Sequence, residues 1–292
     1  MKKITASIVI YQNKAADLER AITSFLSSSI AGDLFIIDNS PERGAEELCK
    51  RYNCEYIFTD SNLGYGKAHN LIMNEIIDTS SYHIILNPDV YFGRDVLEQL
   101  YDFMESHPQT GLVMPRVLYP NGTIQRLCKL LPTPLNLATR RFFPSEKGWT
   151  KKLNDQYEMI FSNYNKVMNV PFLSGCFMFL RNSSLKETGL FDERFFMYAE
   201  DTDLSRRIHK KFNTVFYPYV EIYHKHARGS YKNLKLTWYN LRSAVQYFNK
   251  WGWLFDEERK VINQSASQPH GHENFEFIDL VQARLTSRSS NE

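Results

Sequence analysis

The segment YHIILNPD, residues 82–89, places an apolar run directly before the polar tripeptide Asn87-Pro88-Asp89. A short apolar run that ends in turn-forming residues predicts a buried β-strand, here at residues 82–86. Upstream of it, three further apolar runs are predicted to be strands, at residues 6–11, 34–37 and 55–58. The first part of the chain therefore contains several short strands with little polar surface.

Amphipathic segments separate these predicted strands. Their apolar residues recur at three- and four-residue intervals, which predicts helices at residues 15–27, 42–52, 67–77 and 96–106. Repeated β-α-β units predict an α/β fold, a mostly parallel sheet with helices on both faces. Such sheets bind ligands beyond the carboxyl ends of their strands. Tyr11, Asp38, Asn62 and Asp89 lie at or just beyond predicted strand ends, so we expect them to meet at one edge.

The second half of the chain has a less regular pattern. Strands are predicted at residues 112–117, at 170–180 with an interruption at Ser174-Gly175, at 214–217 and at 220–224. Residues 201–211 and 234–248 are predicted to be helices. Residues 129–165 are rich in proline, lysine and aromatic residues without a clear period, so we interpret them as a mobile or acceptor-facing insertion.

The bulk properties of the chain are those of a globular protein. It has 292 residues, of which 43% are hydrophobic and 23% charged, enough for one large α/β domain or two small ones. None of its four cysteines has CxxC or metal-ligand spacing, so a reducing cytosol is the expected compartment. The first residues lack a signal-peptide cleavage site, and the longest apolar run is far shorter than the ~20 residues of a spanning helix.

Basic residues concentrate between positions 206 and 235, although the net charge is only +2. Such a cluster suits phosphates or an anionic membrane surface, and a solvated basic face is the equally weighted alternative. The cluster contains no recognised nucleic-acid-binding motif, so no nucleic-acid partner is expected.

An acidic segment, Glu200-Asp201-Thr202-Asp203, opens the predicted helix at residues 201–211. A helix dipole keeps a carboxylate at this position ionised, and such a carboxylate can take a proton from a hydroxyl group. Asp201 is therefore the candidate general base, and Glu200 is the candidate for orienting that hydroxyl. An N-cap with an acidic first turn is the structural alternative, and the two roles are compatible.

Asp89 and His224 are the candidate ligands of a divalent cation. Carboxylate oxygen suits Mg²⁺ or Mn²⁺, and imidazole beside a carboxylate is a usual Mn²⁺ partner. A cation of this kind neutralises the charge that develops on a departing diphosphate. Taken alone, residues 87–89 favour an ordinary strand-to-loop turn, and His224 is equally typical of a surface histidine.

Two further features suit a nucleotide. Asp38 follows a predicted strand and can accept the N3–H of uracil or thymine, or can form an Asx turn with the next two residues. Asn62 and Gly64 belong to a glycine-punctuated loop that opens the next helix. Backbone amides there can approach a phosphate or a base closely, although the loop is neither GxGxxG nor a P-loop.

The order of these motifs resembles the GT-A glycosyltransferases of family 2, in particular their bacterial rhamnosyltransferase-like branch. The segments that carry the resemblance are residues 7–11 (SIVIY), 37–40 (IDNS), 62–66 (NLGYG), 87–89 (NPD), 174–178 (SGCFM) and 191–207 (FDERFFMYAEDTDLSRR). His224 and Ser230 fit the late histidine motif of that family. The match covers residues 4–252 and leaves the final forty without a recognised motif.

The resemblance implies a Rossmann-like GT-A domain at residues 1–252, with a nucleotide-binding half at 1–120 and an acceptor-binding half at 121–252. A partly flexible C-terminal helical extension at 253–292 would follow. The implied activity is inverting, metal-dependent transfer of a sugar, rhamnose among the candidates, in surface polysaccharide biosynthesis. The implied partners are a dTDP- or UDP-sugar donor and a glycan or lipid-linked glycan acceptor. The implied location is the cytoplasm, with peripheral contact at the inner face of the membrane.

The resemblance also implies roles for individual residues. Tyr11, Asp38, Asn62, Gly64, Asn87 and Asp89 would surround the nucleotide, Asp89 and His224 would hold Mn²⁺ or Mg²⁺, and Ser174 and Gly175 would shape the acceptor side. Asp201 would be the general base with Glu200 beside it. The chain departs from the family pattern at Asn87, which replaces the first acid of the DxD motif and weakens one metal contact.

Two other functions fit parts of the sequence. A nucleotidyltransferase on a related sheet requires a basic glycine-rich signature near the N-terminus, and Gln12-Asn13-Lys14 does not supply one. A catalytically degenerate nucleotide-sugar-binding module would account for Asn87. The intact pair Glu200-Asp201 and His224 count against that module.

Overall fold

The structure, a computed structural model, describes residues 2–143, 148–225 and 234–268. Its strands are β1 (Lys2–Ile10), β2 (Ala31–Asp38), β3 (Glu55–Phe58), β4 (Ser80–Leu86), β5 (Val90–Phe92), β6 (Thr110–Leu118), β7 (Cys128–Lys129), β8 (Met168–Asn169), β9 (Phe172–Leu173), β10 (Phe177–Arg181) and β11 (Asn213–His224). Its α-helices are α1 (Ala15–Leu26), α2 (Glu46–Arg51), α3 (Tyr65–Ile76), α4 (Val96–Ser106), α5 (Pro134–Phe142), α6 (Gly148–Tyr157), α7 (Asn182–Thr188), α8 (Glu200–His209), α9 (Leu234–Trp251) and α10 (Glu257–Ala266).

The main sheet is mixed and has the strand order β3-β2-β1-β4-β10-β6-β11-β5, with β8 beside β11. Strands β1 to β4 run parallel, as the β-α-β pattern predicts. Strand β10 runs antiparallel to both β4 and β6. Because of this reversal, the residues before β10 lie at the same edge as those after β4. The Asn87 backbone N–H accordingly donates to the Cys176 backbone carbonyl across 2.9 Å.

The core lies on both faces of this sheet. The central strands β1 and β4 are buried almost continuously, whereas the edge strand β3 is partly exposed. The apolar faces of α1 and α3 pack on the parallel strands, and α4 packs on β6 and β11. His83 sits in the middle of β4, where Thr5 and Ser7 of β1 bond to its two ring nitrogens at 2.9 and 2.7 Å. Burial lowers the pKa of His83 to about 3, so this imidazole is a neutral core group.

The structure confirms the predicted fold class and corrects some of its elements. Residues 129–165, whose sequence has no clear period, hold α5, α6 and a 3₁₀ turn at Ile160–Ser162. The two strands predicted at residues 214–217 and 220–224 form the single strand β11. Its register against β6 shifts between Tyr217 and Glu221. Pro218 lies in that interval and lacks the N–H that a continuous ladder requires.

A buried ion pair connects the C-terminal segment, residues 253–268, to α8. Arg206, on α8, is 1% exposed and donates two 2.7 Å hydrogen bonds to the two oxygens of Asp256. Glu258 accepts two more from the same guanidinium, and the Trp251 ring lies 4.1 Å from it. Residues 253–268 are thus tied to α8, whereas residues 269–292 lie outside the described part of the chain. The proposed division at residue 252 stays a prediction.

Membrane-spanning helices were sought among the described residues. None of those helices combines the length and the apolar composition that crossing a bilayer requires.

Candidate active site

A cavity of about 1430 Å³ opens at the sheet edge where β1 and β4 end and β10 begins. The residues predicted for the site that line it are Tyr11, Asn62, Gly64, Asn87, Asp89, Ser174, Gly175, Glu200, Asp201 and His224. Asp38 is absent from the lining. Asp89 and the pair Glu200-Asp201, more than a hundred residues apart in the sequence, therefore face the same cavity.

A turn with a strained backbone directly precedes Glu200 and Asp201. Tyr198 and Ala199 both have left-handed backbone conformations, with φ of 70° and 66°, directly before α8 begins. Residues other than glycine pay about 1–2 kcal/mol each for that conformation. These two conformations turn the chain so that Glu200 and Asp201 form the first helical turn and face the cavity.

Asp201 is held as a carboxylate by its surroundings. Its Oδ2 accepts the Gly175 amide at 2.9 Å, and its Oδ1 accepts the Thr202 amide at 2.8 Å. Burial raises the pKa of Asp201 above its ordinary value, and these amides and the Lys129 ammonium oppose the increase. A base with a modestly raised pKa suits proton abstraction near neutral pH.

Glu200 is the member of the acidic pair that favours the protonated form more strongly. Its side chain is 6% exposed, and among the described residues nothing hydrogen-bonds to its buried Oε2. Burial and then the neighbouring charge of Asp201 raise the pKa of Glu200 well above its ordinary value. Glu200 is therefore the carboxyl group of the pair that can offer a hydroxyl hydrogen to the cavity.

Gln125, which the sequence analysis did not single out, fixes the orientation of His224. Its Nε2 donates to the His224 carbonyl at 2.6 Å, so its Oε1 must accept from His224 Nδ1, 3.0 Å away. The proton of a neutral His224 therefore resides on Nδ1. The unprotonated Nε2 faces Asp89, whose Oδ1 lies 3.4 Å away.

These two side chains fit a divalent cation. Ligand atoms about 2.0–2.2 Å from one ion can lie up to about 4 Å apart, which includes the 3.4 Å between His224 Nε2 and Asp89 Oδ1. The Gln125 carbonyl oxygen is the usual kind of outer partner for a metal-binding histidine. Burial lowers the pKa of His224, but Cys176 and the Asp89 carboxylate outweigh it and raise that pKa to about 10. When no cation is bound, the Asp89 carboxylate thus favours a proton on His224 Nε2.

The described residues contain no group of three or more histidine, cysteine, aspartate or glutamate side chains placed to hold a metal. Asn87 accounts for the missing carboxylate, and Tyr65 determines how its amide points. The Tyr65 hydroxyl lies 2.7 Å from the Gly175 carbonyl and 2.9 Å from the Asn87 amide. Asn87 Oδ1 faces this hydroxyl, and Asn87 Nδ2 lies 3.5 Å from His224 Nε2.

The loop at residues 62–66 packs closely against the turn at residues 196–199. Gly64 has φ of 86°, and a Cβ at this position would lie 2.3 Å from the Phe196 carbonyl oxygen. That carbonyl accepts the Tyr65 amide at 2.9 Å. Only glycine allows this approach. The loop thus contributes the Tyr65 side chain and the close backbone contact, while Asn62 accepts the Gly64 amide at 3.0 Å.

The two remaining nucleotide candidates differ in exposure. Tyr11 is 45% exposed at the cavity mouth. Asp38 is fully buried, and its carboxylate accepts hydrogen bonds from the Tyr56 hydroxyl at 2.6 Å, the Ser40 amide at 2.9 Å and the Gly44 amide at 3.4 Å. Its neighbour Asn39 lines the cavity instead. The nucleobase contact of Asp38 stays a prediction.

Basic side chains line the part of the cavity beyond Asp201, and the sequence analysis had grouped none of them as a site. They are Arg126, Lys129, Arg140 and Arg141. Within the basic cluster at residues 206–235, His224 lines the cavity and Arg206 and Arg207 are in ion pairs. Residues 226–233, which include Ser230, lie outside the described part of the chain.

Comparisons with known proteins identify the family of the chain. The family model of glycosyl transferase family 2 matches residues 7–189. The N-acetylglucosaminyl-diphospho-decaprenol L-rhamnosyltransferases of two Mycobacterium tuberculosis strains are 26% identical to the chain over 247 residues. Those matches cover 79% of this chain and 78% of each relative.

The fold is similar to solved structures at low sequence identity. A crystal structure of GalNAc-T7 with UDP, GalNAc and Mn²⁺ superposes with a TM-score of 0.57 at 13% identity, covering 76% of this chain and 43% of that one. S. aureus TarS superposes with a TM-score of 0.54 at 13% identity, covering 89% of this chain and 42% of that one. The chain thus spans less than half the length of these two structures, and the likeness concerns the fold.

Proposed function

The chain belongs to glycosyl transferase family 2, and from that membership we propose that it is an inverting glycosyltransferase of cell-envelope polysaccharide synthesis. Its donor would be a dTDP- or UDP-sugar, with rhamnose as the favoured sugar. Its acceptor would be a hydroxyl of a lipid-linked glycan presented at the inner face of the membrane. The names of the M. tuberculosis relatives, which include both a rhamnosyl group and a diphospho-lipid, support this choice.

One observation carries the proposal: the Asp201 carboxylate shares a single cavity with the Asp89–His224 pair. An inverting transfer requires a base on one side of the sugar carbon and a stabilised leaving group on the other. The first requirement is met by Asp201 and the second by a cation-binding pair. Both lie at the carboxyl edge of the parallel strands, where ligands of such sheets bind.

The proposed reaction is a single displacement. Asp201 takes the proton of the acceptor hydroxyl as its oxygen attacks the anomeric carbon. The bond from that carbon to the diphosphate oxygen breaks, and the nucleoside diphosphate leaves. Asp89 and His224 would hold Mn²⁺ or Mg²⁺, and a cation bound there would neutralise charge on the departing diphosphate. Glu200, whose raised pKa favours its protonated form, would donate a hydrogen bond to the acceptor and position its hydroxyl.

Calorimetric binding of dTDP, UDP and GDP, each with and without Mn²⁺, tests the donor side. We expect Mn²⁺-dependent binding of a pyrimidine diphosphate to the wild type and its loss in Asp89→Ala. The matched control is Asp95→Ala, which removes an exposed carboxylate at the start of α4. Absence of nucleotide binding would contradict the transferase and favour the degenerate binding module. Donor hydrolysis without acceptor would separate an active enzyme from such a module.

A further inference from the structure

Lys129 is a cavity-lining cation that the proposed reaction leaves without a role. It ends β7, whose partner β9 leads directly into Ser174 and Gly175, so its side chain lies on the acceptor side. Its ammonium lies 5.1 Å from the centre of the Phe172 ring and forms no ion pair with any carboxylate of the described residues. The Glu158 and Asp201 carboxylates act on it electrostatically without forming a direct ion pair, and a partly buried lysine with no such pair is uncommon, because burial disfavours the charged form.

A second cation faces the same space. Arg140, on α5, pairs with Glu158 and stacks over the Tyr157 ring, whose centre lies 5.3 Å from the guanidinium carbon. Burial and then the charge of Arg140 lower the pKa of Lys129 to about 8. Two cations that repel each other at a cavity wall form a site in which a bound anion would relieve the repulsion.

The charge of this region exceeds what the catalytic groups require. Four cations, Arg126, Lys129, Arg140 and Arg141, line this part of the cavity with the carboxyl groups of Glu158, Glu200 and Asp201, and the pKa of Glu200 is raised well above its ordinary value. A neutral sugar hydroxyl does not need several cations, whereas a phosphate group favours both the forked guanidinium and the ammonium. The excess of positive charge on the acceptor side therefore indicates an acceptor that carries phosphate.

An apolar surface adjoins these cations. Leu135, Phe142 and Phe143, on and just after the helix that carries Arg140 and Arg141, are 53%, 61% and 63% exposed. Arg141 donates to Thr237 of α9 at 2.6 Å, and the next residue there, Trp238, is 63% exposed. Exposed apolar side chains thus lie at both ends of α5, and those of Phe142 and Phe143 adjoin the anion-binding side chains at its C-terminal end, as an amphiphile with an anionic head requires.

We propose that Lys129 and Arg140, flanked by Arg126 and Arg141, bind the diphosphate of a lipid-linked acceptor. The inference rests on the proposed function, since it assigns the acceptor half of that site. It places the acceptor sugar between the cations and Asp201, with the hydrocarbon chain leaving along α5. The donor diphosphate occupies the separate position at Asp89 and His224.

Titration of geranyl diphosphate into protein saturated with Mn²⁺ and the best-binding nucleoside diphosphate tests this site. We expect binding to the wild type and weakening by about ten- to hundredfold in Lys129→Gln, the effect of losing a charge-assisted hydrogen bond. Lys129→Arg should restore most of the affinity. Lys152→Gln, which changes an exposed lysine of α6, should leave it unchanged. Arg140→Gln should act in the same direction as Lys129→Gln.

The outcomes separate the subsite from the donor site. Geranyl diphosphate that binds the wild type and Lys129→Gln equally, that fails to bind, or that is displaced by the nucleotide would overturn the subsite. Weaker nucleotide binding in Lys129→Gln would likewise assign Lys129 to the donor. Failure of every nucleotide to bind would contradict the proposed function, while the comparison of wild type with Lys129→Gln would still report on the diphosphate. Inorganic diphosphate serves as the probe without a lipid chain and should bind more weakly.

Discussion

The Gly175 amide donates a 2.9 Å hydrogen bond to Asp201, and a Cβ at position 175 would lie 3.1 Å from the Asp201 Cβ. The turn before β10 therefore touches the first turn of α8 closely enough to stabilise its negative charge. The same Gly175 carbonyl accepts from Tyr65, which contacts Asn87. One glycine thus connects the candidate base to the candidate cation site.

Replacing Asp201 with asparagine should abolish most transfer and leave donor binding intact. Asparagine keeps an oxygen for the Gly175 amide but cannot take a proton, and general-base catalysis contributes about 10²–10⁴-fold to rate. The measurements are kcat for sugar transfer and calorimetric Kd for the nucleotide. Asp155→Asn, in the exposed pair with Lys151, is the matched control. Normal kcat in Asp201→Asn would remove Asp201 from the base role.

Replacing Glu200 with glutamine should stabilise the protein at neutral pH. The pKa of Glu200 is raised above 4.5 in the folded state, so the folded protein binds a proton that the unfolded chain releases. Stability therefore falls as pH rises from 4.5 through the raised pKa, and glutamine removes that loss because it never ionises. Thermal unfolding from pH 4 to pH 8 measures the effect. If the melting temperatures of the two proteins change with pH in the same way over this range, Glu200 is ionised in the folded state.

Replacing Gln125 with leucine should weaken Mn²⁺ binding. Leucine leaves His224 without the acceptor that keeps the proton on Nδ1, and loss of such an outer partner typically costs about 10–100-fold in metal affinity. Electron paramagnetic resonance titration of Mn²⁺ in the presence of dTDP measures it. Gln125→Glu retains an acceptor and should lie between the two, whereas exposed Gln109→Leu should match the wild type. Unchanged Mn²⁺ affinity in Gln125→Leu would show that the orientation of His224 does not depend on Gln125.

Alanine at Gly64 should be more destabilising than alanine at Gly122. Both glycines have positive φ, 86° and 81°, so both substitutions carry the cost of about 1–2 kcal/mol for a left-handed residue. Only Gly64 faces the Phe196 carbonyl, whereas a Cβ at Gly122 meets nothing within 4 Å. Urea unfolding of the two variants isolates the steric part. Equal free energies of unfolding would mean that the loop moves away from Phe196 at no cost.

Replacing Arg206 with methionine should cost about 3–5 kcal/mol, the usual penalty for leaving a buried charge without its partner. Asp256, 3% exposed, would keep the Arg259 backbone amide at 2.9 Å, but its remaining cation would be the more distant Arg259 guanidinium at 3.8 Å. Arg51→Met breaks an exposed pair with Glu19 and should cost less than about 1 kcal/mol. Guanidinium unfolding compares them. A similar small loss in both variants would show that water replaces the buried pair.

The sequence predicted the parts of the site that lie at strand ends. Asp89, Asn62 and Tyr11 follow apolar runs, and parallel strands bring their carboxyl ends to one edge, so local pattern was enough to predict that they meet. Strand β10 is also an apolar run, but its pattern contains no information about direction. The antiparallel pairing that brings Gly175 to Asp201 was therefore not predicted, and only the resemblance to a known family assigned Ser174 and Gly175 to the site.

Gln125 and Lys129 could not be predicted in the same way. Neither belongs to a periodic segment, and long-range pairing positions both: Gln125 bonds to His224, ninety-nine positions away, and Lys129 pairs with Phe172. The helix α5 did have a local signal that the sequence analysis missed. Thr133 and Asn136 form a capping box around Pro134 at the first helical position.

The link between Arg206 and Asp256 also orders events during biosynthesis. A nascent chain folds from its N-terminus as it emerges. Helix α8, with both acidic residues, is therefore made fifty residues before the carboxylate that neutralises its buried guanidinium. Until residue 256 has emerged, the guanidinium must stay in water and α8 cannot complete its packing. A ribosome stalled before that point would hold every proposed catalytic side chain and no assembled active site.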